Sequence, residues 1–130
     1  MARIGTALLL ACALFAPFVV HAQATGDDLA RMDKEVTALL DALRTSGCDF
    51  NRNGSWYEGD EAAKHLQRKY DYVRSKVAHT EEFIEQAGSK SSMSGKAYEV
   101  RCGETAPVPS GEWLVAKIEE LRASGSLDEK

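Results

Sequence analysis

Oxygen-bearing side chains recur at short spacing in the stretch DFNRNGSWYEGD, residues 49–60. A glycine at the sixth place, Gly54, and acidic or amide side chains at the first, third, fifth and twelfth places nearly match a helix-flanked calcium-binding loop. The candidate calcium ligands are Asp49, Asn51, Asn53 and Asp60.

The same stretch also has the signature of a β-hairpin. Asn53-Gly54 is the strongest short hairpin-turn signal. The twelfth place holds Asp60 instead of the longer Glu, and Trp56 takes the eighth place, where an aliphatic residue is usual. Only two of the four ligands would be carboxylates, so calcium affinity would be weak. We therefore expect a hairpin without a metal and no cofactor, and a weak calcium-binding loop is the alternative.

A second group of candidate side chains lies at helical spacing. At about 100° per residue, His65, Lys69, Tyr72 and Lys76 fall on one stripe beside the buried face of a predicted helix. Tyr72 would supply a flat contact and the lysines positive charge, as an anionic or carbohydrate partner requires. The simpler alternative is a solvated helix flank in which His65 is half-buried.

Small residues and lysines dominate residues 88–96, GSKSSMSGK, a composition typical of anion-binding loops. The segment lacks Walker A spacing, and no serine lies in G-x-S-x-G or S-x-x-K. A flexible connection is the simpler interpretation. A hydrolase with His65 as general base and Ser92 or Ser94 near the substrate is the catalytic alternative.

The apolar spacing predicts the elements that would position these groups. A first helix buries a stripe from Leu29 to Leu43 and ends at Gly47, and the hairpin follows. Asp60 caps a second helix that continues to about Lys76, and a short third helix runs from Thr80 to Gly88. Residues 97–102 form a strand, and Ser110 caps a final helix. The predicted class is α+β, with about four helices and a small antiparallel sheet made of the hairpin plus one strand.

The chain begins like a secretory signal, with Arg3, an apolar run over residues 4–20 and small residues at Ala22 and Ala24. We expect cleavage after Ala24, or alternatively after Ala22. The predicted organisation is a signal peptide at 1–24, one domain at 25–122 and a flexible tail at 123–130. Removal of Arg3 would leave 15 basic and 20 acidic residues, a formal charge of −5, which disfavours a nucleic-acid partner.

Loss of the signal would leave two cysteines, Cys48 and Cys102, in an exported chain. An oxidising compartment favours one disulfide between them. Neither cysteine has a nearby CxxC partner or a His at ligand spacing, so a catalytic thiol or zinc site is the weaker alternative.

Short motifs in a fixed order also carry a family resemblance. They are Phe50-x-Arg52-Asn53-Gly54 with Tyr57, Ala63-x-His65-Leu66-x-x-Lys69, Phe83-Ile84, Ser91-Ser92-x-Ser94-Gly95-x-x-Tyr98 and Trp113-Leu114. In this order they resemble the YfeK-like family of exported bacterial proteins, a domain of unknown function. The resemblance implies a periplasmic protein and brings no reaction, substrate or ligand.

The sequence as a whole favours a periplasmic, non-catalytic module that binds an envelope protein or polymer and has no stable membrane insertion after signal removal. Whether the protein is an enzyme is left open, and the absence of catalytic motifs favours a binding role. The candidate binding residues are Arg52, Trp56, Tyr57, His65, Lys69, Tyr72, Ser92 and Ser94.

Overall fold

The computed structural model describes residues 25–128, which form four α-helices and one four-stranded antiparallel sheet. The elements are α1 (Gly26–Thr45), β1 (Cys48–Arg52), β2 (Ser55–Glu58), α2 (Gly59–Val73), α3 (Thr80–Phe83), β3 (Glu99–Cys102), β4 (Val108–Pro109) and α4 (Ser110–Ala123). A π-helical turn, Ile84–Gly88, continues α3. The predicted α+β class is confirmed, whereas the predicted signal peptide lies outside the described residues.

The sheet has the order β2-β1-β3-β4. Phe50 in β1 lies opposite Tyr57 in β2 and Val100 in β3, so these three side chains share one face of the sheet. The predicted hairpin is present, with positive φ angles of 51° at Asn53 and 87° at Gly54. This is the left-handed backbone that a two-residue hairpin turn requires.

The helices cover the face of the sheet that carries Phe50. Fully buried apolar side chains from every helix meet there in a single core. The largest of them are Phe50, Phe83, Met32, Leu39, Leu40, Leu43, Leu66, Ile84, Leu114 and Ile118. Because α2 packs against both α1 and β1, its flank is held next to the end of the hairpin.

Several element boundaries differ from the predictions. Helix α2 begins at Gly59, with Glu58 in the cap position, so Asp60 lies in its first turn and does not cap it. The helix ends at Val73, before Lys76. Ser110 is the first residue of α4, and Pro109 is in the cap position. The Ser110 hydroxyl instead donates a hydrogen bond of 2.7 Å to the carbonyl of Gly88.

A fourth strand, β4, was not predicted. Val108 pairs with Val100 and Pro109 pairs with Glu99 at the edge of the sheet. Proline is tolerated at such an edge because no ladder hydrogen bond from its nitrogen is required there. Pro107 directly precedes this short edge strand, and Pro109 is part of it.

The predicted disulfide is confirmed between Cys48 and Cys102, which lie directly opposite each other in β1 and β3 with their Cα atoms 4.2 Å apart. It ties the strand that carries Arg52 to the strand that follows Tyr98. The two strands thus hold a fixed register beneath the candidate site.

Candidate functional site

The side chains of Arg52 and His65 meet where the end of β1 approaches the flank of α2. Arg52 Nη1 lies 2.6 Å from His65 Nδ1. A guanidinium has only donors, so Nδ1 must accept this hydrogen bond. The proton of the neutral imidazole is consequently on Nε2, which faces the hydroxyl of Tyr98 at 3.4 Å.

Tyr98 forms the floor beneath this pair and is 2% exposed. Its ring packs against Phe50 at 5.1 Å and meets the His65 ring edge-on at 6.0 Å. Its hydroxyl accepts a hydrogen bond of 3.2 Å from Lys69 Nζ, which also donates 2.9 Å to the carbonyl of Lys90. The ammonium group of Lys69 is therefore held between α2, Tyr98 and residues 88–96, which we call the serine-rich segment.

An open pocket of about 430 Å³ lies above Tyr98. Its walls come from the hairpin, from α2 and from the serine-rich segment. The residues that line it are Arg52, Asn53, Ser55, Tyr57, His65, Lys69, Ser91, Ser92, Met93 and Tyr98. We call this the central pocket.

Positive charge dominates the central pocket. Burial, followed by the charges of Arg52, Lys69 and Arg68, lowers the pKa of His65 to about 4, so the imidazole is neutral at pH 7. Burial and then Arg52 also lower the pKa of Lys69. No Asp or Glu is among the lining residues of this pocket.

The two pocket cations differ from comparable side chains in their partners. Five Lys and Arg residues within residues 25–128 are partly buried. Three of them, Arg74, Arg101 and Lys117, form ion pairs with Asp33, Asp49 and Glu120. Within the described part of the chain, Arg52 and Lys69 have no carboxylate at ion-pair distance. Arg52 instead lies over the ring of Tyr57, with its central carbon 4.7 Å from the ring centre.

The serine-rich segment closes on itself by hydrogen bonds. Ser91 donates its amide to the Lys96 carbonyl at 2.9 Å, and Gly95 donates to the Ser91 carbonyl at 2.9 Å. The Ser94 hydroxyl donates 2.7 Å to the side-chain oxygen of Asn53 in the hairpin turn. The segment thus forms one wall of the central pocket, attached both to the hairpin and, through Lys69, to α2.

The structure gathers most of the predicted binding residues and separates two of them. Lining the central pocket are Arg52, Tyr57, His65, Lys69 and Ser92, and Ser94 reaches its rim through Asn53. Trp56 lies on the opposite face of the hairpin, where the guanidinium of Arg101 covers its ring at 4.1 Å. Tyr72 is 73% exposed on α2, outside the pocket.

Five pocket residues are absent from the predicted binding set: Asn53, Ser55, Ser91, Met93 and Tyr98. Tyr98 alternates with Val100 at the start of a predicted strand, which indicated only a core role. Tyr98 belongs to the Ser94-Gly95-x-x-Tyr98 motif of the family resemblance, and that motif was the signal that could have identified it.

The candidate calcium ligands make other contacts. The Asp49 carboxylate accepts from Arg101 at 3.1 Å, and that of Asp60 accepts from Lys64 at 2.6 Å. Asn51 accepts the amide of Gly54 at 3.2 Å. These contacts are those of a hairpin and a helix start, which favours the hairpin interpretation. Residues 25–128 contain no cluster of three or more His, Cys, Asp or Glu side chains suited to a metal ion.

Comparison with known proteins gives a family without an assigned function. The chain matches the family described as "Family of unknown function (DUF5329)" over residues 30–122. It is 34% identical over 70 residues to the uncharacterized protein YfeK of Salmonella typhimurium, an alignment that covers 53% of this chain. The chain spans 58% of the length of that relative. These matches confirm the YfeK-like resemblance, and no solved structure matches the chain.

Proposed function

The chain belongs to the DUF5329 family of unknown function, and we propose that it is a non-catalytic binding module whose central pocket holds an anionic group of an envelope component. The observation that carries this proposal is the pair of partly buried cations, Arg52 and Lys69, without a carboxylate at ion-pair distance in residues 25–128. Partly buried charges are usually paired. A bound anion would supply the missing partner.

The fixed positions of the two cations support a preformed site. Arg52 is held by His65 and Tyr57, and Lys69 by Tyr98 and the Lys90 carbonyl. Binding is weakened when long side chains lose conformational freedom as the ligand binds. Arg52 and Lys69 are already ordered in the free protein, so this loss is smaller. Serine hydroxyls and the Tyr57 ring offer further contacts to the polar body that carries the anion.

The contacts of His65 argue against the hydrolase alternative. A general base needs an available lone pair within reach of the proton that it removes. Neutral His65 has one such lone pair, on Nδ1, and Arg52 occupies it. Among the described residues, no hydrogen bond joins His65 to a serine. The imidazole therefore serves as a support for Arg52.

An exported, periplasmic location is part of the proposal. Its support is the signal-like composition of residues 1–24 together with the disulfide, since disulfides persist mainly in oxidising compartments. Within residues 25–128 no helix is both long and apolar enough to cross a bilayer.

Photo-crosslinking in intact cells tests the proposal. A crosslinking amino acid at Ser92, on the pocket wall, should yield discrete adducts that mass spectrometry identifies. The adducts should be lost when the crosslinker at position 92 is combined with the substitutions R52Q and K69Q. The matched control carries the crosslinker at exposed Thr37 on α1. Equal adducts at both positions, or none at Ser92, would overturn the proposal.

A further inference from the structure

Basic side chains without a carboxylate partner are concentrated around the central pocket. Within residues 25–128, seven Lys and Arg side chains have no carboxylate at ion-pair distance, and only Lys34 of these lies on α1. The other six define what we call the basic surface: Arg52, Arg68, Lys69, Lys76, Lys90 and Lys96. Their concentration contrasts with the acidic balance of the whole chain.

Contacts place Arg52, Arg68 and Lys69 around the central pocket, and chain position places Lys76, Lys90 and Lys96 beside it. Arg52 and Lys69 line the central pocket, and Arg68 lines a small adjoining cavity with His65 and Glu61. Lys90 and Lys96 flank the pocket wall, where the Lys90 carbonyl accepts from Lys69. Lys76 lies in the turn after α2, with its ammonium 4.0 Å from the centre of the ring of Tyr72 on α2.

Acidic side chains of α2 lie mostly on its other flank. At about 100° per residue, Asp60 and Asp71 project opposite to Lys69, and only Glu61 falls on the flank of α2 that carries His65 and Lys69. The serine-rich segment between Lys90 and Lys96 contains no carboxylate. The basic surface therefore has little internal neutralisation.

Two large apolar side chains project from the same surface. Met93, at the tip of the serine-rich segment, is fully exposed (100%), and Tyr72 is 73% exposed. The remaining exposed large apolar residue in the described part of the chain is Val108, at 40%. The most exposed apolar groups thus accompany the unpaired cations.

We propose that the basic surface docks on an anionic phospholipid bilayer, with a headgroup phosphate in the central pocket. Cations near a bilayer are attracted by its negative surface potential. An apolar residue such as Met93 and an amphipathic ring such as Tyr72 gain by entering the interfacial layer. This inference rests on the proposed function in one respect, namely that the pocket accepts an anion.

A membrane fits these features better than a soluble anionic polymer. A polymer would be attracted by the six cations but would leave the fully exposed Met93 in water. The bilayer interface accommodates both the cations and the apolar side chains. The resulting attachment is peripheral and needs no membrane-spanning helix.

Vesicle co-sedimentation of the purified protein tests the inference. Vesicles of phosphatidylcholine are compared with vesicles that contain about 30% phosphatidylglycerol, at low and high salt. We expect binding to the anionic vesicles alone, weakened by salt. The variant K90Q/K96Q should bind them at least about tenfold more weakly, and M93S should bind several-fold more weakly. K34Q, which removes an unpaired lysine outside the basic surface, should bind as the wild type does.

Several outcomes would overturn the inference. They are the absence of sedimentation with anionic vesicles, equal sedimentation with neutral vesicles, and unchanged binding by both K90Q/K96Q and M93S. Binding of soluble polygalacturonate without vesicle binding would assign the surface to a polymer instead. Because Lys90 and Lys96 do not line the pocket, K90Q/K96Q should still bind inorganic phosphate. Loss of vesicle binding alone is therefore distinguishable from failure of the anion pocket.

Discussion

His65 holds Arg52 in the pocket without adding a third positive charge. Its Nδ1 accepts from Arg52, and burial together with the neighbouring cations keeps the ring neutral. A protonated ring would lose this acceptor and repel both Arg52 and Lys69. The residue thus helps to order a cation that has no carboxylate at ion-pair distance among residues 25–128.

The low pKa of His65 makes stability depend on pH. The folded protein keeps the imidazole neutral to about pH 4, whereas an unfolded chain takes up this proton near the ordinary value of 6.5. The contribution of neutral His65 is therefore complete above about pH 6.5 and is lost as the pH falls from there toward 4. Denaturant unfolding at pH 7.5 and 4.5 should show a larger loss of stability in the wild type than in H65Q. An equal loss in both proteins would contradict this role.

Some of the site could be derived from residue spacing. The helical period placed His65 and Lys69 on one flank, and the Asn53-Gly54 turn placed Arg52 next to the hairpin tip. Spacing within α2 could not reveal that Tyr98 lies beneath them, since that contact joins α2 to a residue 29 positions or more further along the chain. Nor could it reveal that Trp56 and Tyr57 face opposite sides, which follows from the observed strand register.

At the scale of the elements, the position of α2 depends on a close approach to α1. A Cβ atom at Gly59 would lie 2.3 Å from the backbone carbonyl oxygen of Leu43. Only glycine permits this approach. It also explains why α2 begins directly after β2, two residues earlier than a cap at Asp60 would place it.

Gly59→Ala should therefore destabilise the protein by about 2–3 kcal/mol, because neither backbone can yield without moving a helix. Denaturant unfolding measures this difference. Gly26→Ala is the matched control, since Gly26 also begins a helix but has no heavy atom within 4 Å of the added Cβ. The control should change stability by less than about 0.5 kcal/mol. Similar stabilities of the two variants would refute the proposed close approach.

Helices with strong apolar periodicity were predictable, and the irregular elements were not. The stripe from Leu29 to Leu43 identifies α1, since five of its side chains enter the core. The π-helical turn Ile84–Gly88 has no comparable local signal. It is fixed by tertiary contacts, among them the bond from the Ser110 hydroxyl to the Gly88 carbonyl. Strand β4 likewise exists only because β3 offers it an edge.

At the scale of the whole molecule, the disulfide joins distant parts of the chain. Cys48 and Cys102 are separated by 54 positions, and the loop they close contains every residue that lines the central pocket. In the chain-entropy model, a loop of this length stabilises the fold by about 4 kcal/mol.

Reduction should lower the free energy of unfolding by about this amount. Denaturant unfolding with and without reductant measures the effect, and C48A/C102A is the control that reductant should leave unchanged. An unaltered unfolding midpoint in the reduced wild type would show that the cross-link contributes little to stability.

The distribution of charge is a property of the whole molecule. The chain is acidic overall, yet the basic surface gathers unpaired cations on one side. Composition alone indicated only an acidic protein, because it does not show which charges pair. Asp33 of α1 pairs with Arg74, the residue after α2, and Glu35 of α1 pairs with Arg122 of α4. These ion pairs remove both basic side chains from the set available to a ligand.

The most direct test of the central claim is an NMR titration of the ¹⁵N-labelled protein with inorganic phosphate at pH 7, with chloride added to hold ionic strength constant. We predict saturable shifts of the Ser92 and Tyr98 amides and of the His65 Nε2–H signal. K34Q should keep these shifts and R52Q/K69Q should lose them. Shifts that fail to saturate, or that persist in R52Q/K69Q, would contradict an anion site in the central pocket.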